Sequence, residues 1–208
     1  MIVGILGSGA VGTTLAKGFL AEGHEVYIAT REPDSEKAAS LKTDLAGATV
    51  TDFATAAKSA ELAVLCVKSD GVEAALQLAG AENLAGKVVI DTTNVIKPVG
   101  DALVYGGGEV SMAEQIQEWL PDSSVVKAFN TVGAATMLNP DFGDQKPTMF
   151  IAGDDAEAKQ SVSVIVTLFG WEPLDSGGLI QSRSLEAMAL VWINNSIATG
   201  PHHAFKML

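Results

Sequence analysis

The stretch Met1 to Gly12, MIVGILGSGAVG, restricts what this chain can fold into more than any other. Met1–Leu6 is an apolar run with no polar face, which predicts a buried central strand. Gly7, Gly9 and Gly12 follow at G-x-G-x-x-G spacing, and Thr13–Glu22 then reads as a helix. Gly7 permits the tight turn off the strand, Gly9 lets a diphosphate approach the backbone, and Gly12 lets the helix lie close to the sheet. The free N–H groups of this segment, Ser8, Ala10 and Val11 included, and the positive end of the helix dipole attract that diphosphate. A second strand, Glu25–Ala29, completes the strand–turn–helix–strand context of a dinucleotide site, against the plainer reading of a structural glycine turn.

Strands and helices alternate to the end of the chain. Further strands are expected at Thr49–Thr51, Leu62–Val67, Lys87–Asp91, Ser124–Phe129, Thr148–Gly153 and Trp171–Leu174. Helices are expected at Ser35–Leu45, Ala54–Ser59, Gly71–Ala79, Ser111–Trp119, Gly133–Leu138, Ala156–Phe169 and Leu179–Thr199. The pattern predicts an α/β fold: a Rossmann-type, doubly wound, mostly parallel sheet with a small C-terminal extension ending in a long helix. The expected division is a nucleotide-binding domain over 1–139 and an α/β extension over 140–208 that completes the cleft. The last helix is apolar on several faces (Leu185, Met188, Ala189, Val191, Trp192, Ile193 and Ile197), so a homodimer burying it and the AFKML tail is expected.

Charge narrows the partners. A net charge of −12 repels nucleic acid and anionic membranes, so an anionic cofactor needs local donors. The chain shows no basic leader and no apolar run long enough to span a bilayer, so a cytoplasmic protein without membrane or nucleic-acid partners is expected. Cys66 is the only cysteine; inside an apolar strand it reads as a core residue, and no cysteine-built metal site is possible. His24 reads as a polar loop residue, and His202 and His203 as a surface or interface pair with no metal.

The end of strand two sets the cofactor. An Asp or Glu about 20 residues past the glycines would select NAD by accepting the ribose 2′-hydroxyl. Thr30 and Arg31 stand there instead, a short donor and a guanidinium suited to a 2′-phosphate, which points to NADP(H). Glu32 comes one residue too late, and Lys37, just inside the next helix, could assist Arg31 but reads as solvent-facing. Ligands sit outside the carboxyl ends of parallel strands, which places Val67, Lys68, Thr92, Asn94, Asn130 and Thr131 at the cofactor edge. Asp91 reads as fixing the loop that follows it. No acid–base pair stands out among these residues.

The segments GILGSGAVG, Thr30-Arg31, VVIDTTN, VVKAFNTVGAA and LIQSRSLEAMALVWIN together resemble the coenzyme F-420-dependent NADP oxidoreductase family, to which the NADPH-binding domain of STEAP-type metalloreductases is related. The resemblance implies hydride transfer between NADP(H) and a flat ring (F-420, FMN or FAD) in a dimer. It implies a nicotinamide near Asn130–Ala135, and a deazaflavin between that segment and Ser182 and Arg183. Archaeal members often carry His where Asn130 stands. Hydride transfer between two such rings needs no protein nucleophile, because the cofactors supply the chemistry. Asn130, Thr131, Ser182 and Arg183 are therefore the candidates beside the rings; the alternative for Arg183 is a plain pair with Glu186 at i,i+3 spacing. Two other readings remain. A small β-hydroxyacid-type dehydrogenase would need a helical Lys one turn before an Asn, but Leu190 and Val191 precede Asn194 and Asn195. A non-catalytic, redox-sensing NADP-binding dimer is compatible with the same fold.

Overall fold

The computed structural model describes residues 1–100 and 102–208. Its central element is β1 (Ile2–Leu6), paired in parallel with β2 (Glu25–Ala29) on one side and β4 (Leu62–Leu65) on the other. The alternating pleat explains why MIVGIL carries no polar residue. Val3 and Ile5 enter one apolar cluster with Leu15, Phe19 and Ile28. Leu6 enters the opposite one with Phe53, Leu65 and Leu76. Both faces of the strand are covered.

The sheet has eight strands in the order β10-β9-β8-β5-β4-β1-β2-β3. The remaining members are β3 (Thr49–Thr51), β5 (Val88–Asp91), β8 (Ser124–Lys127), β9 (Thr148–Gly153) and β10 (Glu172–Asp175). All neighbours run parallel except β8 and β9, which are antiparallel. Helices α1 (Ala10–Ala21), α2 (Glu36–Asp44) and α7 (Ala156–Leu168) contribute to the first cluster. Helices α3 (Phe53–Ser59), α4 (Val72–Ala79), α5 (Ala81–Leu84) and α6 (Met112–Trp119) contribute to the second. This is the Rossmann-like, mostly parallel α/β architecture expected from the alternation, and it closes with the long helix α8 (Ser182–Thr199).

Several expected boundaries shift for identifiable reasons. Ser35 and Ser111 are N-caps, their hydroxyls accepting from the amides of Ala38 and Glu114, so α2 and α6 begin one residue later than the sequence pattern suggests. Asp52 caps α3 in the same way and lets it begin at Phe53. The helix expected at Gly133–Leu138 is only a 3₁₀ turn, Ala134–Thr136. Met137 is buried, its carbonyl accepts from Trp171 Nε1 at 2.8 Å, and Asn139 has φ 45°, which ends the turn. A hairpin of β6 (Ile96–Val99) and β7 (Ala102–Tyr105), absent from the sequence reading, leaves the end of β5 and packs against α8. Pro98 and the glycines around it concealed it.

Within the chain the AFKML tail lies along the start of β9: the amide of Thr148 donates to Phe205 O at 2.8 Å, and Phe205 packs edge-on against Phe150. The outer face of α8 is open, with Val191 61% and Ile197 71% exposed.

Candidate functional site

The glycine turn is built as its spacing requires. Gly7 has φ 128°, and a Cβ there would lie 2.6 Å from Cys66 O. A Cβ on Gly12 would lie 2.0 Å from Gly7 O, so only glycine lets α1 meet β1. A Cβ on Gly9 would meet nothing within 4 Å. The protein does not need a glycine at that position for its own packing. The backbone there opens onto a cleft of about 680 Å³, lined by Gly7, Ser8 and Gly9. Gly9 heads α1 without a side-chain cap, and Ala10 and Val11 belong to its first turn, where the N–H groups have no partner inside the helix.

The opposite wall carries the cations. Thr30 and Arg31, after β2, line the cleft, and so does Lys37 from α2. Lys37 is exposed, as expected, and the surface it stands on is this cleft. Val67, Lys68 and Asp70, after β4, close the third side. Three basic groups against one acid make this a local cationic patch on a chain of net charge −12. An open glycine, free helix amides and a guanidinium with a hydroxyl beside it fit the diphosphate and 2′-phosphate of NADP(H). Cys66 also borders the cleft, but burial pushes its thiol up to about 12, so it is no nucleophile.

Beyond this cleft, the ends of β5 and β8 meet. Asn94 and Asn130 bind each other reciprocally: Asn94 Nδ2 donates to Asn130 O at 2.8 Å, and Asn130 Nδ2 donates to Asn94 Oδ1 at 2.9 Å. Asn130 Nδ2 also donates to Leu185 O on α8, while its Oδ1 is buried without a partner. Phe129, just before it, has φ 59°, a left-handed conformation that costs a bulky residue energy and is held by packing against Phe169. Thr92 is buried, with its hydroxyl donating to Leu65 O at 2.9 Å. Thr131 is buried and Ala135 exposed.

Ser182 and Arg183 differ from expectation in their partners. Ser182 is fully buried and its hydroxyl has no partner. The Arg183 guanidinium forms a fork with Glu114 at 2.8 and 2.7 Å, and not the pair with Glu186. That fork holds the Glu114 carboxyl down at about 2. Glu186 turns the other way, into the core.

There the sequence reading missed a cluster. Lys127 Nζ donates to Asp91 Oδ2 at 2.8 Å, Glu186 Oε1 at 2.8 Å and Thr93 O at 2.6 Å, and all three charged side chains are 0% exposed. Asp91 does fix its loop, through Oδ1 accepting from Thr93 N, but its main partner is Lys127. A signal existed: VVID and VVK are neighbouring parallel strands, and Asp91 and Lys127 lie in register. Glu186 could not be foreseen from strand register.

The histidines play other parts. His24 Nδ1 lies 3.3 Å from the amino group of Met1. His203 stacks on Trp192 and His202 on Phe142. Among the described residues no three metal-ligating side chains come together, and no helix is long and apolar enough to cross a membrane.

Known proteins share this arrangement. Residues 2–95 match the family described as NADP oxidoreductase, coenzyme F420-dependent. A protein of Arthrobacter sp. FB24, provisionally described as an F420-dependent NADP-reductase, is 33% identical, with a TM-score of 0.92 over 100% of this chain and 98% of that one. Metalloreductase STEAP3 of Rattus norvegicus is 33% identical over 189 residues, 90% of this chain, and the match spans 36% of that relative's length. An imine reductase from Aspergillus terreus, solved in complex with NADPH4, shares the fold at 21% identity and TM-score 0.68, over 96% of this chain and 62% of that one.

Proposed function

This chain belongs to the coenzyme F420-dependent NADP oxidoreductase family, and on that footing we propose that it transfers a hydride between NADP(H) and a flat acceptor ring, a deazaflavin such as F-420 or a flavin such as FMN or FAD. The observation that carries the reading is the pairing of the open backbone at Gly9 with the Thr30, Arg31 and Lys37 wall across the same cleft. Gly7, Ser8, Gly9, Ala10, Val11 and Gly12 hold the diphosphate, and Thr30 and Arg31 hold the 2′-phosphate. Val67 and Lys68 flank the path toward Asn94, Asn130 and Ala135, where the nicotinamide end belongs. NADPH supplies the hydride when bound.

The acceptor wall then consists of Thr92–Asn94, Asn130–Ala135 and the start of α8. Asn94 and Asn130 hold each other and Thr92 is tied to Leu65 O, which among the described residues leaves Thr93 Oγ1, Asn130 Oδ1 and Ser182 Oγ without a protein partner and no carboxyl, imidazole or ammonium aimed into the wall. Such a wall suits stacking and a few hydrogen bonds better than attack on a small carbonyl, whose oxygen needs a proton donor within reach. The acceptor edge joins the 1–139 domain to the 140–208 extension. The open face of α8 at Val191 and Ile197 is the surface through which a cytoplasmic homodimer would form, and sedimentation as a monomer at micromolar concentration would count against it.

The test is rapid mixing of NADPH-loaded protein with oxidised F-420, with FMN or FAD, and with a ferric chelate, since the rat relative is a metalloreductase. Reduction of a flat ring faster than in free solution is the expected result. Reduction of a small carbonyl compound but of no ring would replace this reading with a dehydrogenase.

A further inference from the structure

The buried Lys127 cluster touches every segment of the acceptor wall. Lys127 ends β8, three residues before Asn130. Its ammonium has three hydrogens. They go to Asp91 Oδ2, Thr93 O and Glu186 Oε1, so none is left to give to a substrate. Asp91 in turn accepts from Thr93 N at 2.8 Å. Thr93 is therefore gripped at both its amide and its carbonyl, by the two members of one ion pair.

That grip reaches the wall through covalent geometry. A peptide group is planar, so fixing Thr93 O fixes the plane that carries the Asn94 amide and sets where the Asn94 side chain starts. Asn94 then exchanges bonds with Asn130, at 2.8 and 2.9 Å. The orientation of both side-chain amides is determined, because Asn130 O and Leu185 O are backbone carbonyls and can only accept. From α8, Glu186 holds Lys127 while its neighbour Leu185 holds Asn130 Nδ2. Trp192 adds a third hold: a Cβ on Gly133 would lie 2.5 Å from its ring. A well-packed apolar trio could join these elements as stably as three buried charges do. What it lacks is direction, and the ammonium supplies three aimed N–H groups that tie the end of β5 to α8.

We propose that Lys127 is a positioning residue for hydride transfer: it fixes the Thr93–Asn94 peptide, and through it the Asn94–Asn130 pair against which the two rings align, and it makes that alignment depend on a docked α8. The kinetic consequence rests on the proposed function above. A misplacement of about 1 Å at the reacting atoms slows such a step by about 10²-fold. NADPH affinity is set elsewhere, since the phosphate-binding turn and Arg31 follow β1 and β2, on the far side of β4 and β5 in the sheet from Lys127.

Two variants separate positioning from stability. Lys127→Met strands the buried carboxylates, whereas Lys127→Met/Asp91→Asn removes one of those charges and keeps an amide oxygen for Thr93 N. The two should differ in melting temperature yet be equally slow, reducing F-420 or FMN in single turnover about 10- to 100-fold below wild type, with NADPH affinity within about twofold. A rate that recovers along with stability in the double variant would make Lys127 structural and overturn the proposal. So would a loss of NADPH affinity in step with the loss of rate. Amide hydrogen exchange read by nuclear magnetic resonance needs no acceptor and no variant. The wild-type Thr93 amide should be as protected as those of β1, and in the double variant it should exchange at least about tenfold faster relative to β1. Exchange of the wild-type Thr93 amide at the rate of an open loop would overturn the proposal, whether or not the variants fold. If the wild type reduces no acceptor, the proposed function falls, while exchange at Thr93 still decides whether Lys127 holds the wall.

Discussion

Replacing Lys127 by Met removes one ammonium and keeps the length of the side chain. Three contacts at 2.6 to 2.8 Å disappear, all from a group with no exposure. Asp91 is left as a buried carboxylate whose only remaining donor is the Thr93 amide. Breaking a buried pair from one side costs about 3–5 kcal/mol, mostly the penalty of the stranded charge. For a chain of this size that lowers the melting temperature by about 6 to 20 °C. The deficit must also depend on pH. Burial already raises the Glu186 carboxyl and the Lys127 charge opposes that rise, so without the ammonium it rises further above its unfolded value, and stability is lost as pH rises through the raised value and regained below it. Urea unfolding of wild type and Lys127→Met at mildly acidic and at alkaline pH measures both quantities. The double variant Lys127→Met/Asp91→Asn should recover much of the loss, because it removes the stranded charge while leaving the shape. A penalty under about 1 kcal/mol, or one that ignores pH, would refute the premise that these charges are held dry.

Arg31→Ala should weaken NADPH binding about ten- to a hundredfold, the worth of one charge-assisted pair of about 1.5–3 kcal/mol, and leave NADH binding unchanged in titration calorimetry; equal losses for both would make Arg31 structural. Gly9→Ala should melt like the wild type, because its Cβ meets no protein atom, yet lose NADPH affinity, whereas Gly12→Ala should lose stability first because its Cβ meets Gly7 O. The Glu114–Arg183 fork stabilises the fold above the ordinary range of a free carboxylate, and that contribution is lost as pH falls toward about 2. With Arg183 41% exposed, solvent screens the pair, so acid titration of wild type against Glu114→Gln should show a small gap that closes at low pH.

What could be read from the sequence was what is local. The glycine spacing, the apolar β1 and the Thr30-Arg31 pair each act within a few residues, and the glycine turn that ends β1 meets the pair on one cleft. The acceptor wall is different. Asn94 and Asn130 stand 36 residues apart and meet only because β5 and β8 are neighbours in the sheet. Arg183 could be matched to a carboxylate by helical spacing, but tertiary packing offered it Glu114, 69 residues away, and sent Glu186 to Lys127. The β6–β7 hairpin was hidden because Pro98 and Gly100 read as loop punctuation.

The Lys127 cluster also sets an order of assembly. Its members sit at positions 91, 127 and 186, so the last charge is supplied only when α8 docks. A growing chain that has reached β8 already carries a balanced pair, Asp91 with Lys127. The α6 amides of Met112 and Ala113 then wait for a carboxylate that arrives 73 to 74 residues later. Docking of α8 brings a second carboxyl group to that pair, and the Asn130 bond to Leu185 forms in the same movement. A chain cut inside α8 ahead of Leu185 would lose the Glu186 bonds to Lys127, Met112 and Ala113 and the Asn130 bond to Leu185 together, so one truncation unties β8, α6 and the loop after β8 at once.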